Sequence, residues 1–94
     1  MSVEVRDNPD ELRYELLVDG DLAGEIRYTR DGDTRTLVHT EVDPAYEGRG
    51  LATELVRETL ADIRARGLRL VVICPFVADY IRRHPDVSGT PGPR

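Results

Sequence analysis

The chain predicts a single α+β domain in which a mixed sheet of five strands is covered by two helices. Three observations lead there. Asp19-Gly20 and Asp31-Gly32 each separate two strand-like runs and mark consecutive hairpins. Residues 51 to 66 carry apolar side chains at helical spacing. Beyond them, Leu68-Arg69-Leu70-Val71-Val72-Ile73 is almost continuously apolar. A strand, a crossover helix and such a strand form a right-handed unit whose strands are parallel.

Taken in order, Ser2 to Arg6 alternates as an edge strand does, and Asp7-Asn8-Pro9-Asp10 breaks it with turn residues. Tyr14 to Val18 reads as the second strand. Leu22 to Arg30 is the third, with Leu22, Gly24, Ile26 and Tyr28 on one face. Arg35 to Val42 is the fourth, closed by Asp43-Pro44, and these four make an antiparallel meander. The helix from Leu51 to Arg66 has an apolar stripe of Ala52, Leu55, Val56, Thr59, Leu60 and Ile63. Glu54, Arg57, Glu58, Asp62 and Arg66 form its wet side, Asp62 and Arg66 at a favourable i,i+4 spacing, and Gly67 ends it. Leu68 to Ile73 is expected as one parallel strand buried on both faces. Pro75 opens a second helix that ends near His84-Pro85. The domain is assigned to residues 1–87, and Ser88 to Arg94, with Pro91, Gly92 and Pro93, to a flexible tail.

Ninety-four residues support one modest core. No apolar run approaches the roughly 20 residues of a membrane span, and the N-terminus lacks a basic-then-apolar leader pattern. The expected setting is therefore cytoplasmic, away from membranes. A net charge of −5 with no basic stripe argues against nucleic acid as a partner. One cysteine excludes an internal disulfide, and with only two histidines no metal site is expected.

The chemistry concentrates where the fourth strand meets the first helix. Glu47-Gly48-Arg49-Gly50-Leu51-Ala52 places glycines at a strand-to-helix junction. Such a junction brings backbone N–H groups close to a ligand, and the helix dipole adds positive potential, so it suits a phosphate or diphosphate. The alternative is a simple tight turn. Cys74, before a proline-started helix, is either a thiol nucleophile or a small buried hydrophobe. His39 and Glu41 share one strand face and could act together as a base, or His39 could be a strand histidine satisfied by a neighbouring backbone group or hydroxyl.

The loop resembles the diphosphate loop of the GNAT acyltransferase superfamily, which reads Gln/Arg-x-x-Gly-x-Gly/Ala. The likeness extends to His39-Thr40-Glu41-Val42 before it and to Cys74-Pro75-Phe76-Val77, Tyr80, His84 and Pro85 after it. That combination is similar to a short, single-domain GNAT-like branch of N-acetyltransferases. Glu47 departs from the larger superfamily, which has Gln or Arg there. The resemblance covers about Tyr14 to Asp86 and implies a reduced GNAT-like fold, lacking the helices after the first strand and the final strands.

It further implies acetyl-CoA as co-substrate and acetyl transfer to an unidentified amine, either a small molecule or a protein lysine or N-terminus. Backbone around Glu41 and Val42 would meet the pantetheine, and Gly48, Arg49, Gly50, Leu51, Ala52 and Thr53 the diphosphate. His39 or Glu41 would serve as base, with Cys74 or Tyr80 near the sulfur. Two rivals stand beside this reading: a non-catalytic CoA or acyl-CoA binding module, and an interaction domain whose glycine loop is only a turn. A monomer or weak dimer is expected from the exposed strand edges.

Overall fold

The computed structural model describes residues 2–84. The proposed tail, 88–94, lies outside them. The sheet runs β1 (Val3–Asn8), β2 (Arg13–Val18), β3 (Asp21–Asp31), β4 (Thr34–Val42) and β5 (Arg69–Val72), in that spatial order. The first four strands are antiparallel neighbours, and β5 pairs parallel with β4. Helix α1 (Leu51–Ala65) makes the crossover, and α2 (Pro75–Arg83) follows β5. Both helices pack on one face of the sheet, where Tyr14, Leu16, Ile26, Tyr28 and Leu37 meet Leu55, Val56, Ile63 and Val77 in one core. The other face carries no helix among the described residues. No helix there is long and apolar enough to cross a membrane.

Local sequence explains most of this, and two bulges explain where simple alternation misleads. The pairing shifts between Leu16 and Leu17, so that Leu16 faces Gly24 and Leu17 faces Leu22. Ala23 is the inserted residue and is buried in the core. Leu22 therefore does not share the face of Ile26 and Tyr28, as alternation predicts, and is exposed. The second shift, between Arg27 and Tyr28, makes Val38 the inserted residue of β4. As a result Arg35, Leu37, Thr40 and Val42 all look toward the helices, while His39 and Glu41 look away.

Three further expectations need correction. β1 continues through Asp7 to Asn8, and the turn begins only at Pro9. Asp7 is retained in the strand because its nearly buried carboxylate accepts from the Tyr28 hydroxyl at 2.6 Å and from Arg35 at 2.9 Å. In α1 the buried first residue is Leu51 rather than Ala52, which is only partly covered. β5 is an edge strand whose alternate residues Arg69 and Val71 are exposed, so its apolar run is not buried on both faces. The proposed Asp62–Arg66 pair on α1 is present at 3.1 Å.

Two polar networks lock the sheet. Under α1, Arg35 donates to Asp7 and to the Tyr14 hydroxyl, and the Tyr14 hydroxyl donates to Asp62 at 2.5 Å. Arg66 reaches both Asp7 and Asp62. On the helix-free face, Arg13, Arg27 and His39 line up across β2, β3 and β4, as do Glu15, Glu25 and Glu41. Burial alone pushes the Glu15 carboxyl up. Hydrogen bonds from Asn8, Arg13 and Arg6 more than offset this, leaving it below the ordinary carboxylate range.

Candidate active site

A cleft opens where β4 and β5 stop pairing. Their register ends at Leu37 and Val72, and the Leu37 carbonyl then accepts from both Ile73 N–H (2.9 Å) and Cys74 N–H (3.0 Å). β4 continues to Val42 while the other chain turns into α2. At the parting, the Thr40 hydroxyl lies 3.2 Å from the Cys74 thiol. The cleft beyond holds about 420 Å³ and is lined by Thr40 and Val42, by Tyr46 and Glu47, by Gly48 to Thr53 except Arg49, and by Phe76 of α2. That volume lies in the range of small-molecule sites.

The approach to α1 is built from backbone. Asp43 caps a single 3₁₀ turn, Pro44–Tyr46, by accepting from Ala45 N–H. Gly48 and Gly50 then adopt left-handed φ of 81° and 73°, which lets the chain reverse into the helix. Nothing stands within 4 Å of where a Cβ would project at either glycine. Gly50 is the N-cap, and no side chain caps the first turn. The N–H groups of Leu51, Ala52 and Thr53 thus precede the first helical bond, Glu54 N–H to Gly50. This donor set, with the dipole behind it, suits an anionic group of diphosphate size. The Arg49 guanidinium stands over the Tyr46 ring, 5.8 Å from its centroid.

The residues named as chemical candidates separate into three places. His39 and Glu41 come together on the helix-free face, Nε2 to Oε1 at 3.6 Å, with both side chains largely in solvent. Cys74 is buried behind Thr40 and does not line the cleft. Tyr80 is buried in the core and stacks on His84, ring centroids 4.2 Å apart. Val42, Gly48, Gly50, Leu51, Ala52 and Thr53 do line the cleft. Sequence reasoning missed Tyr46 and Phe76 as lining residues. The aromatic types beside the loop and after Pro75 were the available signal. Among the described residues no group of histidine, cysteine or carboxylate side chains could hold a metal ion.

The family model of the GCN5-related N-acetyl-transferases matches residues 13–89. The chain belongs to that family. Within it, the GCN5-like protein of Staphylococcus aureus superposes with a TM-score of 0.68 at 20% identity, over 94% of this chain and 87% of that one. Its likeness concerns the fold. A GNAT family acetyltransferase of Brucella melitensis, solved in complex with acetyl-CoA, superposes with a TM-score of 0.60 at 27% identity, over 80% of this chain and 53% of that chain. Protein NATD1 of Bos taurus is 37% identical over 49 residues, which are 52% of this chain and 43% of NATD1. The chain thus matches less than half the length of that relative. Membership of the GCN5-related family and the five-stranded mixed sheet with two helices agree with the likeness read from the loop and its flanking motifs.

Proposed function

We propose that this domain is an acetyl-CoA-dependent N-acyltransferase that acetylates an amine. The observation that carries the proposal is the cleft at the β4–β5 parting, floored by the uncapped first turn of α1. The glycine positions leave open space for a ligand where side chains would project. Residues 48 to 53 would hold the diphosphate, and the end of β4, Thr40 to Val42, would run beside the pantetheine. The co-substrate supplies an activated acyl carbonyl when bound.

The residues of the chain contribute orientation and proton handling. The cleft fixes the approach and limits water access on the helix side. His39 and Glu41, on the opposite side of β4, are placed to accept a proton from an ammonium arriving at the helix-free face. Cys74 is the weaker choice for a covalent relay, because it is buried and engaged with Thr40. Direct transfer is therefore our reading. A cytoplasmic setting belongs to the same proposal.

One observation favours a second reading. Tyr80 and Cys74 are buried away from the cleft, and His39 and Glu41 are solvated, which is the arrangement expected of a CoA or acyl-CoA binding module without turnover. Calorimetric titration with CoA and acetyl-CoA, paired with a thiol-release assay across small amines and lysine peptides, separates the two. Binding with thiol release supports transfer. Tight binding without release on any acceptor supports the module, and no binding of either thiol ester or thiol overturns both.

A further inference from the structure

The cleft has a measurable length and a stop. Pairing with β5 ends at Leu37, so residues 38–42 of β4 run free of it for roughly 15 Å. Thr40 and Val42 are the residues of this stretch that line the cleft, and Thr40 is the nearer to the parting. Behind Thr40 the Cys74 thiol lies 3.2 Å from its hydroxyl and is 3% exposed. Cys74 is held in turn. Its N–H bonds to the Leu37 carbonyl, and its own carbonyl accepts from Ala78 N–H in the first turn of α2. Leu37 and Val77, in the same core, are fully buried. The space past the thiol is therefore filled, and a close-packed interior yields little without moving a helix.

Resting on the acyl-CoA reading of this cleft, we propose that Thr40 and Cys74 set the length of the acyl group and restrict it to acetyl. An extended pantetheine arm spans a distance similar to the free stretch of β4. With the diphosphate at residues 48–53, beyond Val42, the acyl group is brought to the inner end, where Thr40 is the wall it meets. Cys74 acts through Thr40 as a positioning residue, occupying the space into which that side chain would otherwise retreat. Each methylene added to the acyl chain pushes Thr40 against the thiol, and overpacking of this kind is costly. The other side of the parting offers no useful escape. His39 and Glu41 stand there, and a chain threaded past them would occupy the approach of the amine. The buried thiol thus acquires a role that requires neither nucleophilic attack nor exposure.

The test is calorimetric titration of the whole chain with CoA, acetyl-CoA, propionyl-CoA and butyryl-CoA. The native chain is expected to bind butyryl-CoA about tenfold or more weaker than acetyl-CoA, with propionyl-CoA between them. Cys74→Ala and Thr40→Ala both make room, and each is expected to narrow that ratio severalfold. Using two alanine variants leaves one to decide should the other lose the native circular dichroism spectrum. Thr40→Val keeps the shape of the side chain without its hydroxyl and is expected to keep the native ratio. General loosening of the fold would weaken all four ligands together and leave the ratio where it was. A native chain that binds butyryl-CoA as tightly as acetyl-CoA overturns the proposal. So does a folded alanine variant with undiminished discrimination, or a folded Thr40→Val variant that has lost it. CoA itself carries no acyl group and reports on the cleft alone. A chain that binds none of the four overturns the acyl-CoA reading as well, whereas one that binds CoA and all three thioesters alike overturns only the length limit.

Discussion

The hydroxyl of Thr40 and the thiol of Cys74, 3.2 Å apart, join β4 to the start of α2 at the point where β4 and β5 separate. The contact closes the inner end of the cleft and holds the thiol behind the strand. If transfer is direct, Cys74→Ala is expected to keep turnover within a few-fold of native. Loss of the buried side chain would lower stability by about 1–2 kcal/mol. Steady-state thiol release and a thermal melt check the two halves. Complete loss of activity in a folded variant, together with an acyl mass on the native chain that the variant lacks, would restore the relay.

At Gly50 the backbone sits at φ 73° with open space around the Cβ position. Gly50→Ala is therefore expected to cost about 1 kcal/mol of stability from strain alone and to weaken CoA binding mildly. Gly50→Asp adds a negative charge at the helix dipole and is expected to weaken binding by about tenfold or more beyond the alanine variant. Calorimetry on both variants isolates the charge effect. Equal affinities would mean that no anion rests there.

Gly24 pairs with Val42, and a Cβ placed on it would lie 2.9 Å from the Glu41 carbonyl oxygen and 3.1 Å from a Val42 methyl. Gly24→Ala is expected to push the end of β4 and to cost about 1–3 kcal/mol. Because Val42 lines the cleft, affinity for CoA should fall although Gly24 itself does not line it. A folded alanine variant that binds CoA as well as native would show that the end of β4 does not grip the ligand.

Burial first, and the hydrogen bond and charge of Asp7 next, push the Tyr28 phenol up to about 12 from an ordinary value of 10.0. Tyr14 is pushed up as well, by burial and then by its bond to Asp62. A raised value means that the folded chain holds these protons more tightly than the unfolded chain. The stabilisation is complete below about pH 10 and is lost as pH climbs from 10 toward 12. Alkaline titration followed by phenolate absorbance and far-ultraviolet circular dichroism should find these two rings ionising together with unfolding. Tyr28→Phe should flatten the alkaline loss. Ionisation of both rings near pH 10 with the helices intact would contradict the network.

Much of the fold was legible because its signals are local. Asp-Gly turns, the helical stripe ending at Gly67 and the proline before α2 each depend on neighbours in sequence. The glycine loop was legible for the same reason. The rest turned on pairings across strands. Nothing in the run from Arg35 to Val42 marks Val38 as an inserted residue. That insertion alone turns Thr40 and Val42 to the cleft and sends His39 and Glu41 outward. The continuous apolar run of β5 suggested two covered faces, yet edge position is a property of the whole sheet. Asp7 read as a turn residue because its partners, Tyr28 and Arg35, arrive from distant strands.

The seam between β4 and β5 spans only four residue pairs, and the crossover helix separates its two strands along the chain. Hairpins linked by tight turns can assemble first, since their loops are cheap to close, whereas this seam joins segments far apart along the chain. The half of the molecule that carries the cleft is thus expected to be the last secured and the first to loosen. A bound nucleotide would act as a clasp across it, and amide hydrogen exchange in β5 should slow more than in β2 when CoA is added.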